Sequence, residues 1–247
     1  MLRRVKVVLL AAIISLSPGI GAKILRDAGP PPVWAEGVML LATTSGTPVA
    51  WVNEEPIDRE IFRSSLQTIE ATMGPLDPET IQQVFNLIVQ QILLNQEGQR
   101  RGLGIPREQA RQEVQAYLER TRRDPTAWGA LVRQAEARGL RPGDPDFLSQ
   151  LTAQLEESFV RSAPGRKLIA EIRKEAGGDQ CRFARAMRDL ILQLGAQADI
   201  RLESAALPPE WAGLHVPRPE DLPWARFPDP SCPPTSSLGS AGFVDMV

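Results

Sequence analysis

Apolar residues recur at helical spacing through most of the chain between residues 58 and 196, and glycine and proline steps divide that periodicity into segments. The clearest segment is 78–101, where Ile81, Val84, Phe85, Ile88 and Ile92 follow i, i+3, i+4, i+7, i+11 spacing and share one face. This helix is predicted to be the central column of the domain. Before it, residues 58–73 place Ile61, Phe62, Leu66, Ile69 and Met73 near one face, with Asp58 as the N-cap. Gly74-Pro75 ends that helix, and Asp77-Pro78 opens the next with a capping carboxylate and a proline at the first helical position. Arg101-Gly102-Leu103 closes the central column, because glycine accepts the left-handed conformation and leucine covers the last turn.

The same punctuation recurs at Arg138-Gly139-Leu140, after a helix carrying Trp128, Leu131, Val132 and Ala135. Between the two stops, residues 106–123 present Ala110, Val114, Tyr117 and Leu118 on one side. Asp144-Pro145 then leads into Phe147, Leu148, Leu151, Leu155 and Phe159, and Pro164-Gly165 is expected to break the helix there. A further helix over 166–176 stops at Gly177-Gly178, and Phe183, Met187, Leu190, Ile191 and Leu194 form the last one. About seven helices result.

Two short segments have the period of a strand. Trp51 and Val52 are strand formers, followed by the turn residues Asn53 and Pro56 and then directly by the first helix. Ala198-Asp199-Ile200-Arg201-Leu202 alternates with period two, so the last regular element is expected to return and pair with the first. The fold class is mainly α, a multi-helix domain over 48–207 closed by a short two-stranded pairing.

The ends differ in composition. Arg3, Arg4 and Lys6 precede an apolar run from Val7 to Ala22, so residues 1–22 read as a secretory signal peptide or a retained membrane anchor. Residues 23–47, with Pro30-Pro31-Pro32, form a linker. Beyond Leu207 the density of prolines excludes regular elements, and residues 208–247 read as an extended tail in which Trp211, Leu214, Trp224 and Phe227 offer docking points. Cys181 and Cys232 suit an oxidising compartment, where a bridge would pin the tail to the domain.

Charge and chemistry narrow the function. With 43% apolar and 23% charged residues the 247-residue chain can bury a core, and a net charge of −2 argues against nucleic acid as a partner. The single histidine, His215, lies in the proline-rich tail and not on a rigid support, which disfavours nucleophilic catalysis. The two cysteines and one histidine have no metal-ligand spacing, and no glycine-rich phosphate loop follows a strand. The chain is therefore read as a non-enzyme without a cofactor.

The strand-turn Val52-Asn53-Glu54-Glu55-Pro56-Ile57, together with the helix end Leu93-Leu94-Asn95-Gln96-Glu97-Gly98-Gln99-Arg100-Arg101-Gly102-Leu103, resembles the N-terminal chaperone domain of the SurA and PrsA extracytoplasmic folding factors. In that family a V-N-G-x-x-I strand-turn opens the domain and a helix ending E-A-x-x-R-G-L follows; here Glu54 stands where the turn has glycine. The resemblance spans roughly residues 49–202 and implies an exported, ATP-independent chaperone that binds unfolded or nascent exported polypeptides. A parvulin prolyl-isomerase domain commonly interrupts the family before its final helix. At that place this chain has only Ala176-Gly177-Gly178-Asp179, so isomerase activity is not expected.

On the central helix Gln83, Leu87, Gln90 and Leu94 form a second, uncharged stripe, which suits sequence-tolerant contact with an extended peptide. With Trp128 these are the candidate client-binding residues, although a helix of the same domain could instead cover the stripe and Trp128 could serve the core. The competing functional reading is a dedicated scaffold or assembly factor for one membrane or envelope partner.

Overall fold

A computed structural model describes residues 47–136, 139–204 and 207–226. The signal-like segment 1–22, nearly all of the linker, and Phe227 and Cys232 in the tail lie outside the described residues.

The chain starts as a hairpin. Strand β1, Pro48–Val52, pairs antiparallel with β2, Glu55–Asp58, across the two-residue turn Asn53-Glu54, in which Asn53 takes φ 54°. Asparagine tolerates this left-handed conformation better than most residues. Strand β3, Ile200–Leu202, pairs on the other edge of β1, with Trp51 opposite Arg201 and Val52 opposite Ile200. The first and last elements thus meet as expected, but within a three-stranded sheet of order β2-β1-β3. The expectation of two strands is corrected: Glu55–Asp58, read as a turn into the helix, is itself a strand despite Pro56. It lies at the sheet edge, where proline's missing N–H is tolerated.

Six α-helices follow among the described residues: α1 Arg59–Met73, α2 Pro78–Arg100, α3 Arg107–Arg122, α4 Pro125–Glu136, α5 Phe147–Glu175 and α6 Gln180–Gln197. Capping chemistry sets their ends. Asp58 accepts from the Glu60 and Ile61 N–H groups, Asp77 from Thr80 at 2.7 Å, and Asp179 from Cys181 and Arg182. At the end of α2, Leu103 N–H donates to the Gly98 carbonyl and Gly102 N–H to that of Gln99, with Gly102 at φ 74°. Equivalent bonds at Leu140 and Gly139 close α4. Cys181, in the first turn of α6, is disulfide-bonded.

The expected break at Pro164-Gly165 does not occur: α5 runs through it as one helix, so six helices replace seven. The Gly165 N–H donates to the Asn95 side-chain Oδ1 at 3.1 Å in a buried setting, and α2 presents Gly98 to the Pro164 backbone. The neighbouring helix thus satisfies what proline disturbs.

Apolar side chains form two clusters, and α5 belongs to both. One cluster joins the sheet, α1, α2, α6, the C-terminal half of α5 and residues 211–225; Val52, Phe62, Phe85, Leu168 and Met187 are buried in it. The other joins α3, α4 and the N-terminal half of α5 through Val114, Leu131 and Phe159. Residues 207–226 therefore do not stand apart as a loose tail. Their prolines exclude long elements, but short 3-10 turns at Pro209–Trp211, Pro219–Asp221 and Pro223–Arg226 bury Trp211, Leu214, Leu222 and Ala225 against the main cluster. We call this segment the strap.

A Cβ at Gly98 would collide with the Pro164 backbone and ring, whereas Gly129 in α4 has room for one. Gly98→Ala should lower stability by about 1–3 kcal/mol and Gly129→Ala should raise it by about 0.5–1 kcal/mol, read from urea midpoints at unchanged m.

The buried carboxylate of Glu97 is bound by Arg100 at 2.7 Å and Arg101 at 2.6 Å; the Arg100 hydrogen bond is the chief cause of its fall from 4.5 to about 2. Because the folded value is depressed, the stabilisation is complete above pH 4.5 and is lost as pH falls toward 2. The two arginines are substantially exposed, so a contribution of about 1–2 kcal/mol is expected, and Glu97→Gln should flatten stability over that acid range in denaturation series.

Candidate peptide-binding face

Helix α2 is buried on most of its circumference, including, besides Glu97, three amide positions, Asn86, Gln90 and Asn95. Such buried amides need partners. Asn95 serves the α2–α5 crossing, whereas Gln82, Asn86 and Gln90, one helical turn apart, serve the strap. The Gln82 amide makes two bonds to one residue: its oxygen accepts from the His215 N–H and its NH2 donates to the His215 carbonyl, each at 3.0 Å. The same NH2 donates to the Asn86 oxygen at 2.7 Å, which orients Asn86 to donate to the Asp221 carbonyl at 3.1 Å. Gln90 accepts from the Trp224 N–H at 2.7 Å. Every one of these contacts with the strap is to its main chain.

Side chains seat the strap on either side of this row. Trp211 meets Phe62 edge-on with centroids 4.8 Å apart, and Trp224 meets Phe183 edge-on at 5.5 Å. Leu222 lies against Gly195 of α6, where a Cβ would stand 3.0 Å from the leucine methyl. Within the strap, Asp221 accepts from Arg218 and from Arg226. The Arg218 hydrogen bond, followed by that of Arg226, holds the Asp221 carboxyl well below the usual carboxylate range. This clamp fixes the shape of residues 218–226.

The residues proposed from sequence divide. Gln83 and Leu87 are half-buried, with Gln83 donating to Glu79 at 3.2 Å. Gln90 and Leu94 are at 3% and 1% exposure, so as open client contacts they are corrected: the strap covers Gln90, and Leu94 belongs to the main core. Trp128 packs on the edge of the other cluster beneath the Arg122 guanidinium, 5.2 Å from its ring, and is not brought to this face. Gln82 and Asn86 were missed. The signal was an uncharged amide every four residues, Gln82, Asn86 and Gln90, on a helix otherwise rich in apolar positions. Among the described residues no group of three histidines, cysteines or carboxylates could hold a metal, and no helix is long and apolar enough to cross a membrane.

The described residues form a helical body whose first and last strands pair, with only residues 176–179 between α5 and α6. The SurA-like N-terminal domain profile matches residues 3–128, more than half of the sequence, and the chain belongs to that family. No curated protein and no solved structure matches it. The matched region includes the hairpin, α1, α2 and α3; α5, α6 and the strap lie beyond it.

Removing the Gln90 amide would leave the Trp224 N–H without its acceptor. Gln90→Ala should cost about 1–3 kcal/mol, whereas Gln83→Ala, whose bond is exposed, should stay within about 0.5 kcal/mol in thermal or urea unfolding.

Proposed function

We propose that this protein is an exported, ATP-independent chaperone-like domain that binds unfolded or extended polypeptides and has no prolyl isomerase activity. The family is one of chaperone components, which supports the general class. The observation that carries the finer reading is the pair of hydrogen bonds between the Gln82 amide and the main chain of His215. A face that satisfies N–H and C=O groups of an irregular segment, with apolar contacts beside it, suits binding without a fixed sequence. Only residues 176–179 connect α5 to α6, where relatives carrying an isomerase domain accommodate it, which supports the non-enzymatic part. Export is supported by the charged-then-apolar pattern of residues 1–22 and by the disulfide at Cys181. The partners are then unfolded or nascent exported polypeptides, with the membrane as a further contact if the N-terminal segment is retained.

The competing reading, a dedicated scaffold for one envelope partner, is favoured by the fact that the strap covers much of the face. Aggregation assays separate the two. A chaperone should suppress aggregation of several unrelated unfolded proteins at near-stoichiometric ratios without nucleotide or metal, and leave the cis/trans rate of a prolyl test peptide unchanged. Protection of none of them would reject the chaperone reading, and acceleration of isomerisation by catalytic amounts would reject the non-enzyme reading.

A further inference from the structure

The strap is bound as a peptide is bound. Its prolines at 208, 209, 217, 219 and 223 each lack an N–H, and residues 214–218 between its turns have no regular structure. Such backbone must find hydrogen-bond partners outside itself when it is covered. Gln82, Asn86 and Gln90 provide them at His215, Asp221 and Trp224, and none of these bonds reads a strap side chain. Two aromatic contacts, Trp211 on Phe62 and Trp224 on Phe183, and the leucine seat over Gly195 complete the site.

We infer that residues 207–226 are a built-in occupant of a site whose external ligand is an extended, proline-containing polypeptide segment with aromatic or leucine anchors, and that the strap gates this site by competing for it. The inference rests on the chaperone reading above and adds to it a ligand class and a form of regulation. A tethered occupant competes at an effective concentration of about millimolar, so a free ligand binds only to the fraction of molecules whose strap has lifted. Side chains that seat the strap therefore set the apparent affinity for an external segment. The three amides set the affinity of strap and ligand alike.

The single histidine supplies a direct reporter, because the ring resonance of His215 in the full chain reads the strap alone. The probe is a fluorescent peptide of residues 207–226 carrying His215→Ala, which keeps the main chain read by Gln82 and contributes no ring signal. Titrated into the full chain, it should bind weakly and shift the His215 resonance toward its free-peptide position. Leu222→Ala would remove the strap's leucine seat over Gly195 while the probe keeps its own, and should tighten peptide binding about tenfold by lifting the strap. Trp224→Ala should do the same by removing an anchor. Adding Gln82→Ala to the Leu222→Ala chain should weaken binding again about tenfold or more.

If both strap-weakened chains stay folded by circular dichroism yet bind no peptide at millimolar concentration, with His215 unmoved, the strap is fixed core and the inference fails. If either chain unfolds instead, the strap is required for the fold and the gate is equally rejected. Suppression of aggregation without displacement would leave the chaperone reading standing and reject the gate; displacement without suppression would do the reverse.

Discussion

Asn53 joins parts of the chain that are otherwise far apart. Its backbone N–H donates to the Asp199 carbonyl at 2.6 Å, its side-chain oxygen accepts from the Asp199 N–H at 3.0 Å, and its NH2 reaches Gln96 on α2 at 2.6 Å. Gln96 in turn donates to the Val52 carbonyl at 3.1 Å. One turn residue thus makes the hairpin, holds the returning strand and docks the sheet on the central helix. The left-handed φ needed for the turn and the short polar side chain needed for the bonds are both properties of asparagine. With the sheet held there, Val49, Ala50 and Val52 are fully buried, and the core has a lid that neither end of the chain could form alone.

A second constraint operates where α2 meets α5. A proline in the middle of a 29-residue helix ordinarily opens a kink, yet here the disturbed turn faces Asn95 and Gly98. Gly98 occupies the place that the family's helix-end pattern gives to alanine, and it is the residue that lets the Pro164 backbone come close. The same crossing marks the seam between the two apolar clusters. Helix α5 carries the rigidity of the main body into the arm of α3 and α4, and Arg166, stacked 4.8 Å from the Phe159 ring and paired with Glu113, reinforces the joint.

Much of this was legible in the residues. Helix ends were written by local chemistry: Asp58, Asp77, Gly102 and Gly139 act within one turn of themselves, so neighbours in sequence suffice to read them. The pairing of residues 51–52 with 200–201 was also readable, from period and position. What escaped depended on partners distant in sequence. Pro164-Gly165 looks like a stop unless one knows that Asn95 waits opposite. Gln90 looks like a surface residue unless one knows that Trp224 lies over it. The strap was hidden for the same reason, since a proline-rich composition describes what a segment cannot form by itself and says nothing of the surface it finds. The amide row was the readable clue, because its polar groups sit on a helix with too little exposed circumference to leave them in water.

The strap also has a place in time. It follows every other described element along the chain, so during synthesis from the N-terminus the sheet, α2 and α6 are all made before it. At roughly 5–20 residues per second the strap itself takes about one to four seconds to emerge. Until the strap docks, Gln82, Asn86 and Gln90 lack the main chain that covers them, with Phe62 and Phe183 beside them. A newborn copy is therefore, briefly, the stickiest form of this protein.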